Sequence, residues 1–159
     1  MIEKTRIPFA AAAVRAQLSG DADFTAVIPS QFITTRDVPK SITRPFCTCR
    51  SVTTHGRDPM LRSAMVQIDI WVPDRQALKW PETGDPEEIA WDIAGLAGEI
   101  IGRSKGIPFR NCAWAGEWID GPMNMIDNTR SKELPLYRSP VRVELTMRMD
   151  SAPKFAWIP

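Results

Sequence analysis

No apolar run in the 159 residues approaches the ~18 residues that a membrane-spanning helix needs, which excludes a helical membrane protein. Motifs that carry common chemistry are missing too. There is no phosphate-binding glycine loop, no H-E-x-x-H, and no nucleophile elbow. Net charge is +1, so no overall field selects nucleic acid or an anionic membrane. Three cysteines, an odd count, fit reduced thiols better than a disulfide framework. Nine glycines against fourteen prolines disfavour floppy linkers and favour stiff connections. The opening "MIEKTRIPFAAAAVRAQL" superficially suggests a signal peptide. Its apolar run is short, carries Arg15 and continues as an amphipathic helix, so the expectation is a cytoplasmic product.

What is present suits one soluble domain. The hydrophobic fraction is 43% and the charged fraction 25%, and a chain of this length buries roughly 70% of its unfolded surface. Pro8 fits the first turn of a helix running to about Leu18, ended by Ser19-Gly20 with glycine in a left-handed cap. The next stretch, to Pro45, reads as an extended connector with at most a short strand, because Pro29, Pro39 and Pro45 are closely spaced. Phe46 to Thr54 is β-rich, "HGRDPML" reads as a turn, and "RSAMVQIDIWV" (Arg62 to Val72) returns as the second arm of a hairpin.

That second arm has two unlike faces. Ala64, Val66, Ile68, Ile70 and Val72 form a core face, while Ser63, Met65, Gln67, Asp69 and Trp71 suit neither a dry core nor an ordinary wet surface. Asp85 then caps a helix, with Pro86 at its first position and Glu88 completing a capping-box pattern. Ile89, Ile93, Leu96, Ala97 and Ile100 mark its buried face. Gly95, Gly98 and Gly102 weaken it intrinsically but let a neighbour pack very close. "GIPFR" reads as a helix stop and turn. Asn111 to Ile119 and Pro140 to Met149 are the remaining strands. The expected fold is α+β: a single sheet of about four strands, in two hairpin-like pairs, with the helices packed on one face. The single domain spans 1–159, with an N-terminal arm (1–7), a long loop (120–139) and a C-terminal tail (150–159).

Candidate chemistry is thin. His55 with Asp58 as its orienter is outweighed by a solvated turn histidine. Cys47 and Cys49, with Cys112 and His55, lack the usual zinc spacing and read better as small buried thiols. Glu87 and Glu88 suit a helix N-terminus better than an acid–base pair. The expectation is a protein that is not an enzyme, with no catalytic residue, metal or cofactor.

Charge distribution says more than total charge. Arg36, Lys40, Arg44, Arg50, Arg57 and Arg62 face only Asp37 and Asp58 in the hairpin half. Asp74, Glu82, Asp85, Glu87, Glu88, Asp92 and Glu99 face only Arg75 and Lys79 in the following stretch. Such polarity suits head-to-tail packing of identical subunits, with Arg57 and Arg62 of one meeting Glu87, Glu88 and Asp92 of the next. Neutralisation within one fold explains the pattern equally well. In the long loop, Met123, Met125 and Ile126 beside Arg130, Lys132 and Glu133 suit a surface that adapts to a partner. The alternative for that loop is packing on its own domain, anchored by Leu134, Leu136 and Tyr137.

The order of these elements resembles the tail terminator (tail completion) proteins of long-tailed bacteriophages. The resemblance is carried by "LSGDADFTAVI", "VQIDIWVPD", "DPEEIAWDIAGLAGEI" and "LYRSPVRVELTMR", and covers about Ala11 to Arg148. It implies a virion protein at the head–tail junction, assembled in the host cytoplasm as a hexameric, ring-forming subunit. The ring caps the tail tube, stops its polymerisation and docks onto head-completion (connector) proteins. Its partners are then itself, the tube protein and the connector, with DNA only passing through the channel and no membrane. In such a ring Met65 and Trp71 become interface anchors, while Met123, Met125, Ile126, Arg130 and Lys132 contact tube or connector. "PDRQALKWPETGD" and "KFAWIP" depart from the shorter members of that family. Another neck or stopper protein is the nearest alternative, and a small cytoplasmic enzyme a more distant one.

Overall fold

The computed structural model describes residues 6–58, 60–80, 84–128 and 135–150. Its organising element is a hairpin of two long strands, β2 (Phe46–Asp58) and β3 (Leu61–Pro73), preceded by a two-residue strand β1 (Ile33–Thr34). Three further pieces, β4 (Ile107–Phe109), β5 (Cys112–Asp120) and β6 (Met125–Asp127), lead to the long strand β7 (Leu136–Met149). The order across the sheet is β1-β2-β3-β7-β5-β4, with β6 also paired to β7. β1 runs parallel to β2 and every other pairing is antiparallel. The helices are α1 (Ala10–Ser19), α2 (Ala22–Val27) and α3 (Pro86–Arg103).

This corrects the expected sheet of about four strands: seven strands form one mixed sheet, curled into a half-barrel. The excess lies in β1, β4 and β6, which are two or three residues long and cannot show a period of two. Two other boundaries also move. β2 continues through "HGRD" to Asp58, so most of the expected turn is strand, with irregular register between His55 and Asp58. The proline-spaced connector holds α2, because Asp21 caps it (its side chain accepts from the Phe24 N–H at 2.9 Å) and the helix ends before Pro29. Gly20 ends α1 in a right-handed conformation, not the expected left-handed one, and its N–H bonds Ala16 O at 3.0 Å.

The core lies on one face of the sheet. Ala64, Val66, Ile68, Ile70 and Val72 are fully buried there, beside Val141, Val143, Leu145 and Met147 of β7. Each large aliphatic side chain so buried contributes roughly 1.5–3 kcal/mol. α1 and α3 cover this face, and α1 is tied to β2 by the Ala11 N–H, which donates to Ser51 Oγ at 3.1 Å. Asp85 caps α3 as its sequence suggests, with Oδ1 accepting from the Glu87 N–H at 3.1 Å. Gly98 of α3 and Gly116 of β5 each admit a neighbour at very short range. A Cβ on Gly98 would lie 2.6 Å from the Trp118 indole, and one on Gly116 would overlap the Ile101 carbonyl.

Candidate interaction surfaces

The opposite face of the sheet is organised by hydrogen bonds. Register places Trp71 opposite Arg138, Asp69 opposite Pro140 and Gln67 opposite Arg142. The Arg138 guanidinium donates to both oxygens of Asp69, at 2.9 and 3.3 Å, and lies 5.1 Å from the centroid of the Trp71 ring. Gln67 Nε2 donates to the same carboxylate at 3.1 and 3.2 Å, and Gln67 Oε1 accepts from Arg142 Nε at 3.3 Å. The Trp71 indole N–H donates to Thr48 Oγ1 at 3.0 Å. The Asp69 side chain is 7% exposed and that of Arg138 27%, so the pair is largely desolvated and needs its geometry.

At one end of this face lies a second, smaller core. Val38, Ile42, Phe46, Trp71 and Leu136 pack together under the proline-rich connector, with Phe32 at its margin. Trp71 is 8% exposed, so its ring is already taken up within its own chain. A cavity of about 260 Å³ adjoins the network, lined by Arg50, Gln67, Asp69, Trp71 and Arg138 among others. Its two guanidinium groups are matched by carboxylates, Arg50 by Asp37 and Arg138 by Asp69, so the site neutralises its own charge.

The outer edge of β7 presents a different surface. β5 and β6 lie end to end along it, joined through Gly121 and a cis Gly121–Pro122 bond. Gly121 has φ 86°, and a Cβ there would come within 2.6 Å of the Pro140 carbonyl, so only glycine fits. Along this edge Trp118, Ile119, Met123, Met125 and Ile126 are all exposed, five large apolar side chains within nine residues.

The interface residues expected from the sequence fall in three places. Arg57 and Arg62 sit at the far end of the β2–β3 hairpin, where the Arg62 guanidinium donates to the Gly56 carbonyl. Met65 is half-buried farther along β3, and Trp71 is roughly 20 Å beyond it. Glu87, Glu88 and Asp92 occupy the first two turns of α3. Met123, Met125 and Ile126 are exposed, and their segment is not the structureless loop anticipated for 120–139, because it holds β6 and the start of β7. Leu136 and Tyr137 lie in β7, and Leu136 is buried. Arg130, Lys132, Glu133 and Leu134 lie outside the described residues, as do 1–5 of the arm and 151–159 of the tail.

The candidate chemical residues are dispersed. His55 lies in strand β2, not in a turn, and its Nε2 is 3.9 Å from Glu144 Oε2. The carboxylate near it is therefore Glu144 and not Asp58, whose Oδ1 accepts from the Met60 N–H at 2.8 Å. Cys47, Cys49 and Cys112 are buried free thiols. Burial pushes the Cys47 thiol well up, and burial followed by the nearby Asp150 charge pushes Cys112 up to about 11. Among the described residues no group of three or more His, Cys, Asp or Glu side chains is placed to hold a metal ion.

Sequence reasoning missed Arg138, Arg142 and Trp118. The expected long loop, 120–139, takes in Arg138. Extending the alternation of β7 back to Leu136 would have placed it in line with Arg142 on the polar face. Comparison with models of known protein families gives no match, and comparison with characterised proteins gives none either.

Proposed function

We propose that this protein is a structural subunit that assembles with copies of itself into a hexameric ring. The ring caps the tail tube of a long-tailed phage, ends tube polymerisation and joins the tail to head-completion proteins, leaving a channel for DNA. The protein works by binding and shape, with no catalytic step. The observation that carries this reading is the exposed apolar edge from Trp118 to Ile126. Trp and Met are enriched at protein interfaces, and a concentration of exposed apolar side chains on one edge marks an interaction surface. The order of elements that resembles tail terminators supplies the identity of the assembly.

Sedimentation velocity over a wide concentration range, combined with electron microscopy of the protein added to purified tail tubes, tests the reading. A species of about six times the monomer mass, bound at tube ends, is the expected result. Protein that stays monomeric at every concentration and leaves tube ends bare would overturn it.

A further inference from the structure

We infer that adjacent subunits join their sheets edge to edge. The outer edge of β2, between Val52 and Arg57 of one copy, meets the outer edge of β6, around Ile126 of the next. This rests on the ring reading and specifies the contact that builds it. The chemistry recognised is that of a second copy of this chain.

The backbone supplies the first argument. β1 covers β2 only at Cys47 and Thr48, and among the described residues no strand pairs with the outer side of β2 beyond them. The opposite edge is closed for part of its length. β4 pairs Cys112 to Trp114, the Gly116 N–H donates to Ser104 O at 2.8 Å, the Gly116 carbonyl accepts from Lys105, and Gly102 of α3 crowds Trp118. Farther along, the closure stops. The Met123 N–H donates to Pro140 O at 3.2 Å, and the antiparallel register continues through Met125 opposite Arg138 and Asp127 opposite Leu136. Antiparallel pairs alternate, so Met125 and Asp127 turn their backbone groups towards β7. Ile126 turns its N–H and C=O outward, away from the sheet. Among the described residues no strand pairs with that side of β6, and such an edge is a template for another strand.

Charge decides which strand. The apolar edge carries Glu117 and Asp120, with no basic side chain from Glu117 to Met125. The exposed half of β2 carries His55, Arg57 and Asp58, with Arg62 beside it on β3, while Arg50 is already paired with Asp37. Pairing the acidic edge with its own copy sets Glu117 and Asp120 against like charge, whereas pairing the two unlike edges brings them to Arg57 and Arg62. Apolar contacts agree: Val52 and Leu61 are each about half exposed on the β2–β3 side, facing the Ile119, Met123 and Ile126 group of the next copy. Val52 and Ile119 both occupy register breaks, between Ser51 and Thr53 and between Trp118 and Asp120. Such bulges twist an edge and restrict which strand can follow it. Because the edges differ, the contact is heterologous and propagates head to tail, as a closed ring requires. The acidic partner of the basic hairpin is then the β5–β6 edge, not the first turns of α3.

Ile126→Pro and a charge swap test the contact. Proline at Ile126 removes an N–H that the subunit's own sheet does not use, so thermal unfolding should stay close to wild type while the assembly falls to monomer mass in sedimentation. Independently, Arg57→Glu should weaken assembly at least tenfold at low salt, and adding Asp120→Arg should restore most of the loss. Rings that persist with Ile126→Pro, or no recovery in the charge-swapped double variant, would overturn the edge pairing and leave the ring reading standing. A wild-type protein that never leaves the monomer would overturn both.

Discussion

The two faces of β3 are made by the same eleven-residue stretch and held by different physics. On one, Ala64, Val66, Ile68, Ile70 and Val72 are closed off by α1 and α3, and area removed from water does the work. On the other, Gln67, Asp69 and Trp71 are ordered by directional bonds to Arg138, Arg142 and Thr48, with only a small apolar cluster at one end. Apolar burial is indifferent to which side chain supplies the area, so the first face should tolerate volume-conserving swaps. A desolvated carboxylate is not indifferent, because losing one partner leaves the other unpaired.

Four measurements would break or sharpen this contrast. Trp114→Ala empties the largest fully buried side chain of the dry face and should lower stability by about 3–5 kcal/mol in urea unfolding. A loss under 1 kcal/mol would mean that the dry face is not packed as described. Asp69→Ala on the polar face should cost about 2–3 kcal/mol, somewhat less than a fully buried pair because Arg138 keeps part of its surface in water. Replacing both members, Asp69→Leu with Arg138→Met, should recover much of that loss; a double variant no better than the single one would show that the network is not a unit.

Gly98→Ala tests the close approach between helix and sheet. The added methyl meets the Trp118 ring, and overpacking there should cost about 1–2 kcal/mol, relieved when Trp118→Ala is added. The smallest effect concerns pH. The folded state holds Cys112 protonated up to about 11, against 9.0 for a free thiol. Between those values the unfolded chain gives up its proton first, so stability falls as pH rises from 9 and levels off above 11. Burial raises Cys47 in the same direction, so Cys112→Ala should reduce the alkaline loss without removing it. Urea melts at pH 7.5 and 10 would show this; an unchanged pH difference in the variant would count against the buried thiol.

Several features could be read directly from residue order. The start of α3 was legible because Asp85, Pro86 and the following acids act locally, within one turn. Met123, Met125 and Ile126 stood out in the sequence as flexible apolar residues beside charged ones, and the structure leaves all three exposed. α2 was not legible, and β1 only as an unplaced short strand in the connector. They are held by distant groups: Arg44 donates to the Val27 carbonyl at 3.1 Å, and Arg15 Nε donates to the Ile33 carbonyl at 2.7 Å. Elements of two to six residues lack the repeats that reveal a period, and their stability is supplied from outside.

Alternation along Arg62 to Val72 settled which side chains of β3 share a face, because a strand turns successive residues to opposite sides whatever surrounds it. It also singled out Ala64 to Val72 as the dry row. What satisfies the other row depended on strand pairing across the chain. Asp69 finds Arg138 sixty-nine positions later and Gln67 finds Arg142 seventy-five later. A shift of one residue in the β3–β7 register would point both arginines at the apolar side. That register runs unbroken from Leu61 opposite Arg148 to Pro73 opposite Leu136, and it places the apolar rows of β3 and β7 on one face beneath α1 and α3, which is not a property of the stretch itself.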